Sequence, residues 1–226
     1  MYSHAGVLSK FPAFDLTVYD IDQRLASSAA SFFNVGYVDQ ISNALLRKCE
    51  CVIICSPTAT HFQFLKNALE IGVPYVVCEK PVCDSIADLE HLRSLKKRSK
   101  SRVVVNYTRR FQPFSTILKV QFDKWISEQP LRAISIRYQR GFLNNASHAL
   151  DLIQFLSGWE ISTARIKLVQ SVFDEIPNDP TICGHGEWGG AVLSILGLPN
   201  VRFSLFEIDL FFERTAIRLR DRGGRI

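Results

Sequence analysis

Apolar residues in the first half of the chain fall in short runs, separated by segments of helical spacing. DLTVYD (15–20), CVIICS (51–56), PYVVCEK (74–80) and RVVVNY (102–107) read as strands. Between them, DQRLASSAASFF (22–33) opens on an aspartate that can cap a helix, and YVDQISNALLRK (37–48) places Ile41, Leu45 and Leu46 on one helical face. ATHFQFLKNALEIG (59–72) is amphipathic and closes on a C-cap glycine, and DSIADLEHLRSLKKRSK (84–100) has an acidic start and a basic end. Strands and helices alternating with short links predict a parallel sheet with helices on both faces.

The second half has another rhythm. FQPFSTILKVQFDKWISEQ (111–129) reads as a long helix, LRAISIRYQR (131–140) as a half-exposed strand, and NASHALDLIQFLSG (145–158) as a helix with a glycine stop. ISTARIKLVQSVFDEI, GGAVLSILG and VRFSLFEIDLFFERTAIRLRD read as long strands with turns between them. Long alternating strands predict an open, mostly antiparallel sheet. The change of rhythm sets a domain boundary near residue 106.

The bulk numbers restrain the function. The 226 residues are 47% hydrophobic and 22% charged, ordinary for a globular protein of one large or two small domains. The net charge of +5 is spread out, apart from KKRSKSR (96–102) and RLRDRGGR (218–225). The first cluster closes a helix, where cations suit the dipole, so no nucleic acid partner is expected. No apolar run approaches the ~18–20 residues of a membrane span, and MYSHAGVLSKF lacks the apolar stretch of a secretory signal. Six cysteines show no paired metal spacing, which favours a reducing, cytoplasmic setting and no metal site.

Chemistry gathers where strands end. Asp20 closes a strand, where it could accept from ribose hydroxyls or cap the next helix. SPTATH (56–61) joins a buried strand to a helix start, which offers free N–H groups to an anion. There Ser56, Pro57 and Thr58 form the turn and His61 sits one turn in. In EKP (79–81), one unit later, a partly desolvated Lys80 could exchange a proton with a substrate oxygen, opposed by its neighbour Glu79, or the two could be a surface ion pair. NYTRRF (106–111) brings Asn106, Arg109 and Arg110 to the same edge, and NNASHALD carries Asn144, His148 and Asp151 at helical spacing. His148 reads either as a proton carrier or as a structural histidine, with Asp151 placed to orient it.

In this order, VYDID, CVIICSPTATHFQFLKNALEIGVPYVVCEKPV, NYTRRF and NNASHALDLIQFLSG resemble the Gfo/Idh/MocA oxidoreductases, NAD(P)-dependent sugar and cyclitol dehydrogenases. The resemblance implies an α/β chain: an incomplete Rossmann NAD(P)-binding domain in 1–106, followed by an α+β domain in 107–226 whose open, mostly antiparallel sheet forms a homo-oligomer interface. It implies Lys80 and His148 as catalytic residues, Asn106, Arg109, Asn144 and Asp151 at the substrate, and Asp20, Ser56, Pro57, Thr58, His61, Glu79 and Lys80 at the cofactor. The cofactor implied is NAD, which Asp20 favours over NADP because a carboxylate repels a 2′-phosphate, with NADP left open. Asn144 stands where many members have aspartate, as in a nucleotide-sugar branch, which implies a sugar or nucleotide-sugar substrate in polysaccharide biosynthesis. The family's opening strand and GxGxxG loop have no counterpart here, so the chain is expected to be a fragment truncated at both ends. An unfilled place is expected between the strands of DLTVYD and CVIICS. The alternative is an inactive remnant or interaction module of the same family.

Overall fold

The computed structural model describes residues 3–220. The first half carries α1 (His4–Leu8), β1 (Thr17–Val18), α2 (Gln23–Phe33), β2 (Gly36–Tyr37), α3 (Asn43–Leu46) and β3 (Cys51–Ile54). It continues through α4 (Thr58–Ile71), β4 (Tyr75–Cys78), α5 (Ile86–Arg98) and β5 (Arg102–Val105). The second half carries α6 (Pro113–Glu128), β6 (Leu131–Tyr138), α7 (Ser147–Ser157), β7 (Arg165–Val172), β8 (Thr181–Trp188), β9 (Ala191–Gly197), β10 (Phe206–Phe212) and β11 (Ala216–Leu219). The expected α/β order is present, with a mostly antiparallel second sheet.

Local chemistry sets these boundaries. Asp22 caps α2 by accepting from the Arg24 amide at 2.9 Å, and Asn34 ends it in the left-handed conformation. Gly72, at φ +83°, ends α4 as expected. The segment 37–48 departs from the expected helix: only Asn43–Leu46 is helical, behind a Ser42 cap. Its start is taken by a parallel ladder instead, in which the amides of Gly36 and Val38 donate to the carbonyls of Leu16 and Val18. Strand β8 was not expected at all. Its two glycines mask the apolar alternation, yet a Cβ on Gly186 would lie 1.8 Å from the Arg165 carbonyl oxygen. The long run from 201 breaks into β10 and β11, and the basic cluster 218–225 lies mostly outside the described residues.

The chain divides into two compact units. The first holds residues through Ile54, Gln63–Val77 and His91–Val103. Among the described residues β1 pairs only with β2, and β3 only with β4, so two small sheets each keep an unpaired edge there. Its core is thin: Ala26, Ala30, Leu65, Ala68 and Val76 are buried, whereas Ile21 is 91% and Phe32 77% exposed. Strand β5 runs parallel to β4, since the amides of Arg102 and Asn106 donate to the carbonyls of Pro74 and Cys78 in step.

The second unit holds Cys55–Phe62, Cys78–Glu90 and everything from Val104 onward. A six-stranded sheet in the order β11-β10-β6-β9-β8-β7 is antiparallel except between β6 and β9. Ile134, Ile136 and Tyr138 of β6, Leu193 and Ile195 of β9, and Ile208 and Leu210 of β10 point to one face. There they join Leu118 and Phe122 of α6 and Leu152, Ile153 and Leu156 of α7 in a single core. Full burial of each such side chain contributes roughly 1.5–3 kcal/mol. This core is the rigid floor on which α7 and its N-terminal turn are held.

Candidate active site

The second unit gathers most of the expected residues. The turn Ser56–Thr58 opens α4, and the turn Glu79–Pro81 follows β4, with a cis Lys80–Pro81 peptide. His61 joins the two. It is 1% exposed, with Nδ1 2.7 Å from the Pro81 carbonyl oxygen and Nε2 2.7 Å from that of Ser56. The ring thus ties two backbone turns together, and its nitrogens face carbonyls. The Thr60 hydroxyl donates to Ser56 Oγ at 2.6 Å across the first turn of the helix.

Lys80 projects from the second turn. Its Nζ donates to the backbone carbonyl of Asn144 at 2.7 Å and to Asn144 Oδ1 at 2.9 Å. Burial holds its pKa below the ordinary lysine value, Glu79 and Asp179 oppose that fall, and Arg109 adds to it. Glu79 in turn accepts from Asn106 Nδ2 at 2.7 Å, so the Asn106 amide braces the carboxylate next to the lysine. Asn144 Nδ2 donates to the Arg140 carbonyl at 3.1 Å. That bond fixes which end of the amide faces Lys80, and a carboxylate could not make it.

Asn144 lies in a π-helical turn, Phe142–Ala146, that leads into α7. π turns often occur at functional sites because they redirect side chains without ending the helix. His148 follows on the first turn of α7. Burial first, then the positive charges of Lys80 and Arg109, push its pKa down to about 4, so the ring is neutral at neutral pH. Its Nδ1 is buried without a hydrogen-bond partner, and the Tyr107 ring stands edge-on to it at 5.6 Å. Asp151 does not orient this ring. Its carboxylate is held by Arg110 through both oxygens, one at 2.9 Å. Burial raises the Asp151 pKa and Arg110 counters the rise. The Arg109 guanidinium lies 3.6 Å from the centre of the Phe206 ring.

Asp20 belongs to the first unit, just past β1, where its carboxylate accepts from the Asp22 amide at 2.9 Å. Three residues of the site were not singled out in the sequence. Tyr107 is the neighbour of a named asparagine and ends an apolar strand-like run, RVVVNY. Asp179 and Thr181 sit beside a proline, in a stretch with no periodic signal. No group of side chains suited to a metal ion occurs among the described residues.

Residues 4–107 match the profile of a family described as oxidoreductases with an NAD-binding Rossmann fold. The chain is 28% identical over 152 residues to the oxidoreductase YceM of Salmonella typhimurium, covering 64% of this chain and 48% of that protein. It is 26% identical over 192 residues to the oxidoreductase YrbE of Bacillus subtilis, covering 76% and 56%. This chain therefore spans about half the length of these curated relatives. Among solved structures, the myo-inositol dehydrogenase of Lactobacillus casei, in complex with NAD(H) and myo-inositol, superposes with a TM-score of 0.73 at 16% identity, covering 91% of this chain and 66% of that one.

Proposed function

We propose that this chain, whose residues 4–107 match the profile of the Gfo/Idh/MocA family of NAD-binding oxidoreductases, moves hydride between nicotinamide and a hydroxyl-bearing carbon of a sugar, cyclitol or nucleotide sugar, with Lys80 handling the proton. The observation that carries this reading is the Lys80 ammonium, held by two oxygens of Asn144 beside a neutral His148. The donor set suits a polyol and a nicotinamide. It offers a partly desolvated amine, a neutral imidazole whose buried Nδ1 lacks a partner, and the anion-tolerant turn Ser56-Pro57-Thr58 at a helix start.

NAD, when bound, would supply the hydride acceptor. As hydrogen would leave the substrate carbinol carbon for the nicotinamide with both electrons of its C–H bond, the hydroxyl proton would pass to the neutral amine of Lys80, and the carbon would become a carbonyl. Burial makes that neutral form more accessible than in a free lysine. The lone pair of His148 accepts from a neighbouring hydroxyl, and Arg109 orients the substrate. Glu79 and Asn106 hold the cofactor-side turn. Asp20 would take the adenine ribose, and residues 1–106 and 107–226 would divide as cofactor and substrate domains. We place the protein in the cytoplasm, in keeping with its six free thiols. We also infer self-association through the outward face of the six-stranded sheet, where Val192 is 62% and Leu196 42% exposed.

The test is NADH formation from a panel of cyclitols, hexoses and nucleotide sugars, run beside Lys80→Met. Turnover that needs Lys80 supports the reading, and turnover indifferent to it removes the assigned role. The second reading, an idle remnant or interaction module, draws on the one-sided pairing of β1 and β3 and on the exposed Ile21 and Phe32. It predicts fast amide exchange throughout residues 15–54.

A further inference from the structure

The segment that presents Asn144 to Lys80 is held from behind. Four consecutive amides, 141 to 144, all donate to residues 179–181. Gly141 N donates to Thr181 Oγ1 at 2.9 Å, Phe142 N to the Pro180 carbonyl at 3.0 Å, Leu143 N to Asp179 Oδ1 at 2.8 Å and Asn144 N to Asp179 Oδ2 at 2.7 Å. Asp179 is 6% exposed. Its carboxylate fits only because residue 141 has no side chain: a Cβ there would lie 2.2 Å from Asp179 Oδ2, and Gly141 has φ +78°. On the other side, Asn144 spends both its oxygens on Lys80.

We propose that Asp179 is a positioning residue for Lys80, its carboxylate fixing the backbone of 141–144 so that both oxygens of Asn144 converge on one ammonium. A glycine, a buried acid and a π-helical turn form one device, in which Asn144 alone touches the Lys80 ammonium while Gly141 and Asp179 act through it. The inference rests on Lys80 being the proton-handling group. The negative charge of Asp179 also favours the ammonium form, as Glu79 does and as Arg109 opposes. An isosteric Asp179→Asn change would remove that charge and misalign the two acceptors, and both effects favour the free amine.

The experiment reads Lys80 directly, whether or not any substrate is turned over. Lys80 in the full chain is labelled with an amine-reactive reagent across a pH series and quantified by peptide mass spectrometry. Asp179→Asn should move the labelling midpoint to lower pH, so that at a fixed pH below it Lys80 labels several-fold faster, while the melting curve stays cooperative. In an Asn144→Ala background the same change should have a clearly smaller effect, because the two residues act in series. An unchanged midpoint, or an equal shift in both backgrounds, would overturn the proposal. Should Asp179→Asn fail to fold, native-state hydrogen exchange of the wild-type chain decides. The Leu143 and Asn144 amides should be the slowest within residues 140–147, and fast exchange at either would contradict the role given to Asp179. Absence of turnover in the substrate panel, with the labelling shift intact, would count against the proposed activity alone.

Discussion

The Nζ of Lys80 is held by both oxygens of Asn144, the backbone carbonyl at 2.7 Å and the side-chain carbonyl at 2.9 Å. Sixty-four residues separate the two in sequence, so the contact exists only once the turn after β4 and the π-helical turn before α7 are both formed. It is therefore a direct report on an assembled site.

Replacing the lysine with methionine keeps an unbranched apolar stem of nearly the same length but removes the proton carrier. Lys80→Met should lower kcat by about 10²–10⁴-fold, the usual range for a general acid–base group, with little change in melting temperature. Steady-state kinetics and a thermal melt on the same sample check both halves.

Asn144→Asp tests the amide. The new carboxylate would meet the Arg140 carbonyl that now accepts from Nδ2, costing about 0.5–1.5 kcal/mol of stability. It would also put a full negative charge beside Lys80 and favour the ammonium. The acidic limb of the oxidation pH–rate profile, where activity rises as Lys80 loses its proton, should move to higher pH, which a pH series of kcat/KM would read.

His148 makes stability depend on pH. Above the ordinary histidine range the ring is neutral in the folded and unfolded chain alike. Between that range and about 4, the unfolded chain binds a proton that the fold excludes. Stability should therefore fall with falling pH at a slope of up to about 1.4 kcal/mol per unit from this group. In His148→Gln the urea-unfolding free energy should be flatter across the same window.

Arg110 and Asp151 form a two-pronged pair with the carboxylate side nearly buried, 9% exposed against 30% for the arginine. Removing one partner strands the other, so Arg110→Met should cost about 1–3 kcal/mol in urea unfolding, less than a fully buried pair because the arginine is partly solvated. Adding Asp151→Leu to that variant should recover much of the loss, since no charge is then left unpaired.

The sequence announced the strand-end chemistry better than its supports. EKP and SPTATH stood out because charge and turn residues interrupt apolar runs, and both turns lie in the same unit as Asn144 and His148. What stayed hidden depends on distant partners. His61 read as a helix-start histidine, but its two carbonyl neighbours come from turns that only the fold brings together. Asp151 read as a partner for His148 on spacing alone, and Arg110 took it because a guanidinium offers two aligned donors. Strand β8 was silent because glycines admit close approach to β7 at the cost of any apolar pattern. Asp179 gave no signal, since its worth lies in two amides, those of Leu143 and Asn144, 36 and 35 residues upstream, and in the absence of a Cβ at residue 141.

The most direct measurement is a calorimetric titration of the 226-residue chain with NADH. Saturable heat with one site per chain, retained in Lys80→Met, would show the cofactor site in place and leave Lys80 its role in proton transfer. No heat at any accessible concentration, from a chain that still melts cooperatively, would contradict an NAD-dependent activity for this chain.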